Sequence, residues 1–236
     1  MLRAIFLLAI SLTVVSTKVG TEVVSSTQKS AEKPKIFEAI KTPVCYNYFQ
    51  ISLQWAPSVC ATRRCHEPFL EPDRWTINGL LPTSSPPYPN TCYDRNLGCR
   101  ANFTELAEVS PKLVDDMWYY WPSLYNKATP EFWKYIYCKY GTCYPESGTD
   151  YFKKAISMAK KVNELLKDVT DRGPGAFKQM NKALGVNVGY WCRNVRGGAQ
   201  IIEQIGVCYD RDWNMMDCPH AKMCAITAEY TDYCSA

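Results

Sequence analysis

The sequence predicts an α+β fold: one domain with an antiparallel sheet, helices around it and disulfides stapling it. Three observations carry this expectation. Stretches of two-residue alternation and stretches of helical spacing follow one another without a regular β-α order. Twelve cysteines follow an N-terminal stretch with the pattern of a secretory leader, so the thiols are expected to be oxidised in pairs. The chain has 236 residues, 47% of them hydrophobic, which is enough for one sizeable core, and neither a repeat nor a linker divides it.

Residues 1–17 place Arg3 before an apolar run from Ala4 to Val15 and the small residues Ser16 and Thr17, the pattern of a cleaved signal peptide. The run is short for a bilayer, and no later uncharged stretch reaches the required length, so a secreted protein without a membrane span is expected. Residues 18–40 are rich in Ser, Thr, Lys and Glu and lack periodicity, which predicts a mobile segment before a folded domain over 41–236. From Tyr48 to Trp55 the chain alternates, with Phe49, Ile51, Leu53 and Trp55 on one side, which predicts a half-buried strand. A second short strand is expected around Trp75 to Gly79, and the Pro-rich stretch from Leu81 to Asn90 reads as a loop.

Ser110 and Pro111 open a helix by cap and first-turn proline, with Leu113 and Met117 on its inner stripe and Trp121-Pro122 stopping it. The same logic places a helix near 130–140: Thr129 as cap, Pro130 in the first turn, and Gly141 in the left-handed conformation that ends helices. Tyr135, Ile136, Lys139 and Tyr140 share one face of it. The clearest helix runs from about Asp150 to Lys167, where Phe152, Ala155, Ala159, Val162 and Leu166 recur at helical spacing, and a shorter one spans Ala176 to Leu184 before Gly185. Gln200 to Tyr209, with Ile205, Val207 and Tyr209 alternating, reads as a strand leading into cysteine-laced loops.

The formal net charge is +4, and +3 once Arg3 leaves with the leader, far from the concentrated field of a dedicated nucleic-acid binder. No Cys-x-x-Cys occurs, and the two histidines, His66 and His220, are distant in sequence, so no metal site and no cofactor is expected. Asn102-Phe103-Thr104 is the one glycosylation acceptor.

Several stretches together resemble the secreted ribonuclease T2 family. Tyr48-Phe-Gln-Ile-Ser-Leu-Gln-Trp-Ala-Pro-Ser-Val-Cys60 is similar to its first strand. Trp75-Thr-Ile-Asn-Gly-Leu-Leu-Pro82 resembles its first active-site motif, Phe-Thr-Ile-His-Gly-Leu-Trp-Pro. Phe132-Trp-Lys-Tyr-Ile-Tyr-Cys-Lys-Tyr-Gly-Thr-Cys143 resembles the second, Phe-Trp-x-His-Glu-Trp-x-Lys-His-Gly-Thr-Cys. Trp121-Pro122, Tyr151-Phe152, Gly206-Val-Cys-Tyr-Asp210 and Asp217-Cys-Pro219 follow in order, so the resemblance covers about residues 41 to 225. It implies the family's fold and the bridges Cys60–Cys65, Cys92–Cys143, Cys192–Cys224 and Cys208–Cys218. Cys45, Cys99, Cys138 and Cys234 then remain, with three possible pairings.

The family's reaction, as the resemblance implies it, takes a proton from the ribose 2'-hydroxyl and returns one to the departing 5'-oxygen, leaving a 2',3'-cyclic phosphate. Histidine suits both tasks because it titrates near the working pH. Here Asn78 stands at the first motif's histidine, Tyr135 and Tyr140 at the two histidines of the second, and Ile136 at its glutamate; Lys139 alone is retained. Asparagine carries no proton through a cycle, and an unperturbed tyrosine with a pKa of about 10 is almost wholly neutral. A pseudoenzyme is therefore expected. Losing both proton-transfer groups forfeits roughly four to eight orders of magnitude if their effects multiply. The base-recognition positions fall on Gln54, Ser123, Tyr125 and Phe132, so single-stranded RNA or a nucleotide is the expected ligand, bound by a monomer. Packing offers another reading of the aromatics, in which Tyr125, Phe132, Trp133, Tyr135 and Tyr140 simply fill the cleft. Two further alternatives are a weak endoribonuclease using Lys139 with Tyr135 or Tyr140, and a secreted effector that engages an unidentified protein partner through its loops.

Overall fold

The computed structural model describes residues 36–39, 46–65, 74–84, 88–89, 98–125, 127–170, 175–195 and 200–219. The expected leader, most of the segment to residue 40, both histidines, and Cys45, Cys92, Cys224 and Cys234 lie outside these. The described residues all belong to one unit, Lys35–Ala236.

Eight strands and six α-helices are described: β1 Phe37–Ala39, β2 Tyr48–Trp55, α1 Ala56–Cys60, β3 Trp75–Ser84, β4 Tyr88–Pro89, β5 Cys99–Ala101, α2 Phe103–Val109, α3 Pro111–Tyr120, α4 Thr129–Lys139, α5 Gly148–Leu166, α6 Ala176–Leu184, β6 Gly189–Asn194, β7 Gln200–Tyr209 and β8 Met215–Met216. A short 3-10 turn, Gly141–Cys143, follows α4. β1 and β5 form a small antiparallel pair, and the main sheet has the order β4-β3-β2-β7-β6 with β8 added to β7. All its described pairings are antiparallel, and the α+β architecture is as expected.

β2 is the central strand, and its two faces differ in kind. Phe49, Ile51 and Leu53 join Ile77, Leu80, Ile205 and Val207 in the main core, to which the inner stripes of α3 and α5 also belong. On α5 the residues that recur at helical spacing, Phe152, Ala155, Ala159, Val162 and Leu166, are all buried. The opposite face of β2 carries Gln50, Ser52 and Gln54 and was expected to be wet. Ser52 and Gln54, on the central strand between β3 and β7, are instead buried. Gly206 and Gly189 make room there for Gln50 and Trp191; a Cβ at Gly206 would collide with the Gln50 side chain.

Four local expectations change. β3 runs on to Ser84, so Leu81–Ser84 is strand and not loop; Pro82 sits opposite Phe49 where β4 pairs only from Thr83 onward, a near-edge position that tolerates a missing N–H. Residues 37–39, placed in the mobile segment by composition, form β1, because the Phe37 ring packs 4.7 Å from Tyr137 and 5.6 Å from Phe152. Thr129 does not cap α4: the cap position is Ala128, and Thr129 Oγ1 accepts from the Ser123 N–H at 3.1 Å. Ser110 caps α3 by position but makes no side-chain capping bond.

Gly141 also differs from expectation. Its backbone is not left-handed; among the described residues only Gly98, Gly185 and Trp213 have positive φ. Glycine is required there for space, since a Cβ would lie 2.6 Å from Tyr137 Cδ2 and 3.0 Å from Tyr151 Cε1. Gly185, after α6, does adopt the left-handed conformation, with φ 72°.

Cys60–Cys65 and Cys208–Cys218 are bonded as expected, and Cys99–Cys138 resolves one of the open pairings by tying β5 to α4. Cys143 and Cys192 are also disulfide-bonded, and the partners expected for them lie outside the described residues. No described helix is long and apolar enough to cross a membrane.

Candidate functional site

The site is built where the polar face of the sheet meets α4. β3 pairs Gly79 with Ser52 and Ile77 with Leu53, so Asn78 is the extra residue of a β-bulge. A bulge re-aims a side chain, and here the Asn78 amide donates to Gln204 Oε1 at 3.3 Å. Gln204 in turn faces Gln54 across the β2–β7 ladder, and Thr76 faces Gln54 from β3. Nearby, Ser52 Oγ is buried and has no hydrogen-bond partner among the described residues.

α4 is anchored in the main core by Trp133 and Tyr137, both buried, and it approaches β3 through Ile136, whose Cγ2 lies 3.6 Å from where a Gly79 Cβ would stand. Trp133 Nε1 donates to the Trp121 carbonyl at 2.7 Å, which fixes the helix rotation. That rotation turns Tyr135 outward: its side chain is 45% exposed, so it does not fill the cleft. Lys139 and Tyr140 are partly exposed, and only Ile136 of the four same-face residues is fully packed away.

Lys139 Nζ donates to Tyr135 Oη at 3.3 Å and also bonds the Tyr140 hydroxyl. It sits 5.6 Å from the Tyr135 ring centroid and 5.1 Å from that of Tyr140, while Lys127 Nζ lies 5.6 Å from the Tyr135 ring. Partial burial pulls the Lys139 pKa down, but the hydrogen bonds and electrostatic interactions with Tyr140 and Tyr135 outweigh it, and the pKa ends above the usual lysine value. Lys139 is therefore a held cation. It can neutralise phosphate charge and cannot serve as a base near neutral pH.

The four residues expected to recognise a base are only partly accessible. Gln54 and Ser123 are buried, and Ser123 Oγ donates to the Tyr125 carbonyl at 3.0 Å. Phe132 is partly buried and packs against the main core. Tyr125 packs on the small cluster of Ala56, Val59 and Leu124, and its hydroxyl accepts from Arg63 Nη1 at 2.6 Å.

Gln204, Lys127 and Arg63 belong to the site and escaped sequence reasoning. Gln204 lies 126 residues from the amide it accepts from, and no local pattern announces that pairing. Arg63 stands next to Arg64, and an adjacent pair of arginines reads from sequence as a solvated surface. The signal that could have singled it out is the short loop closed by the Cys60–Cys65 bridge, which carries Arg63 to within 2.7 Å of Glu203 on β7. Asn102 is partly buried; its Oδ1 accepts from the Glu105 N–H at 3.2 Å, and its Nδ2 donates to Glu105 Oε2 at 3.1 Å, so the asparagine of the expected glycosylation motif is the cap of α2. Among the described residues no cluster of His, Cys, Asp or Glu could hold a metal ion.

A sequence profile of the Ribonuclease T2 family matches residues 46–218. Ribonuclease S-7 of Nicotiana alata is 29% identical over 198 residues, 77% of this chain and 86% of that protein. Ribonuclease T2 of Danio rerio is 27% identical, over 71% of each chain. Among solved structures, RNase NT in complex with 5'-AMP superposes with a TM-score of 0.63 at 25% identity, covering 77% of this chain and 96% of that one. An RNase-related protein from Calystegia sepium superposes with a TM-score of 0.61 at 20% identity, covering 78% and 95%, which speaks to the fold alone.

Proposed function

The chain belongs to the ribonuclease T2 family, and from that premise we propose that it is a secreted pseudoenzyme that binds single-stranded RNA or a nucleotide without cleaving it efficiently. The carrying observation is the surroundings of Lys139. The groups that hydrogen-bond this cation are two tyrosine hydroxyls, and the motif position on the bulge is an amide already donating to Gln204. A phosphate has a cation to meet, and the half-exposed Tyr135 ring, with Lys127 and Lys139 beside it, offers a stacking surface. Among the described residues, the positions where the family motifs carry histidine hold Asn78, Tyr135 and Tyr140. Nucleotide binding by a related fold supports the reading, since RNase NT was solved with 5'-AMP.

Calorimetric titration with 5'-AMP, 5'-UMP and short single-stranded RNA tests it. Saturable binding is expected, weakened by about tenfold or more in Lys139→Met, as befits loss of one charge-assisted hydrogen bond. Absence of saturable binding would refute it.

A second reading has one observation in its favour. Tyr135 and Tyr140 hydroxyls both touch the Lys139 ammonium, so a tyrosine could act as proton donor to a leaving oxygen with the lysine stabilising the charge left behind. That residual endoribonuclease predicts slow formation of 2',3'-cyclic phosphates that vanishes in Tyr135→Phe/Tyr140→Phe while nucleotide binding persists.

A further inference from the structure

Arg63 is tied down on three sides. Its Nη1 donates to Tyr125 Oη at 2.6 Å and lies 2.7 Å from Glu203 Oε1, and its Cζ sits 4.6 Å from the centroid of the Tyr125 ring. Glu203 is nearly buried and stands at a second bulge, since β6 pairs Trp191 with Gln204 and Cys192 with Ile202 and skips it. Its other oxygen accepts from Arg193 Nε at 2.6 Å. The Cys60–Cys65 bridge closes the loop that carries Arg63, and Cys65 packs on the same cluster as Tyr125.

We infer that Arg63 is an internal occupant of the base-stacking position at Tyr125, so that this residue sets the affinity and selectivity of that subsite. The inference rests on the nucleotide-binding reading above. A guanidinium over a tyrosine ring makes the interaction that an incoming base would make with the same ring, so base and arginine compete for it. The hydroxyl edge is taken as well, because the Arg63 fork already uses the Tyr125 Oη as acceptor. Glu203 keeps the plug seated: one carboxylate oxygen lies 2.7 Å from Arg63 Nη1, and the other is fixed by Arg193 Nε at 2.6 Å. A nucleoside monophosphate would therefore hold its phosphate at Lys139 while its base is refused at Tyr125, which favours contact through the phosphate and the outer Tyr135 ring over base-specific recognition.

Simple electrostatics predicts the opposite outcome to the one expected here, which makes the experiment discriminating. Removing a cation should weaken an anionic ligand, whereas removing a plug should strengthen it. Titration of Arg63→Ala with 5'-AMP and 5'-UMP is expected to give roughly 2- to 30-fold tighter binding than the wild type, the equivalent of one displaced cation–π contact. The gain should disappear in Arg63→Ala/Tyr125→Ala. Unchanged or weaker binding by Arg63→Ala, while the wild type binds, overturns the inference and leaves the binding reading intact. No binding by either protein overturns both. Should Arg63→Ala lose the wild-type near-ultraviolet dichroism, Glu203→Gln serves instead: it keeps Arg63 but removes its charged anchor, tighter binding supports the plug, and unchanged or weaker binding overturns it.

Discussion

Replacing Gly141 with alanine tests how the second motif is held against the core. The added Cβ would stand 2.6 Å from Tyr137 Cδ2 and 3.0 and 3.1 Å from two atoms of the Tyr151 ring. Neither ring can step aside easily. Tyr151 is fully buried and its hydroxyl donates to the Leu80 carbonyl at 2.9 Å, while Tyr137 is wedged 4.7 Å from Phe37 and 6.0 Å from Phe152. Overpacking of a tight core costs about 1–3 kcal/mol, and rings pinned on both sides place this substitution in the upper half, about 2–3 kcal/mol. For a domain of this size each kcal/mol moves the midpoint by about 2–4 °C, so a fall of roughly 4–12 °C is expected in a thermal melt of the oxidised protein. Gly175→Ala is the control. No heavy atom lies within 4 Å of its would-be Cβ and its φ is −71°, so its effect should stay within about 1 kcal/mol and lean towards stabilisation. A Gly141→Ala melt that matches the control would refute the argument that glycine is there for space.

Two more outcomes follow from the same packing. Burial raises the pKa of Tyr137 to about 12 and, with Glu146 and Asp150 adding to burial, that of Tyr144 to about 12, from 10.0 in both cases. The folded chain then binds more protons than the unfolded one between those values, so this part of the stability is complete below pH 10.0 and is lost as pH rises towards about 12. Chemical denaturation midpoints should fall across that interval, with the late tyrosinate absorbance appearing together with the loss of dichroism; a flat profile would contradict it. At α2, Asn102→Ala should cost about 0.5–2 kcal/mol through loss of the cap, whereas Thr104→Ala breaks the Asn102-Phe103-Thr104 motif and leaves the cap bonds in place. Equal destabilisation by the two in unglycosylated protein would show that the cap contributes nothing.

Helix positions were the most legible part of the sequence, because apolar spacing reports burial directly. Phe152 to Leu166 marked α5, and in α6 the buried Ala176, Met180 and Leu184, four residues apart, run up to Gly185, whose left-handed conformation ends the helix. Punctuation was less reliable where tertiary contacts reassigned it. Gly141 looked like a helix terminator and is a spacer between two rings; Thr129 looked like a cap and serves the Ser123 backbone instead. β6 was invisible, since Tyr190 packs into the core while Trp191 faces the polar side among Gln50, Gly189 and Gly206, leaving no clean alternation of apolar and polar types. At the candidate site, Asn78 and Lys139 could be named from motif positions. Their partners could not: Gln204 is 126 residues from Asn78, and Glu203 lies far along the chain from Arg63, so both pairings exist only once β7 is laid beside β2.

The central claim is that a T2 ribonuclease scaffold surrounds a site able to bind but not to transfer protons. Its most direct test is incubation of purified, disulfide-intact protein with single-stranded RNA across a range of pH, with 2',3'-cyclic phosphate ends quantified and Lys139→Ala run beside it. The account predicts no cyclic phosphate above the level of the variant at any pH. Cyclic phosphate formed at a rate comparable to active family members, and abolished by Lys139→Ala, would contradict it.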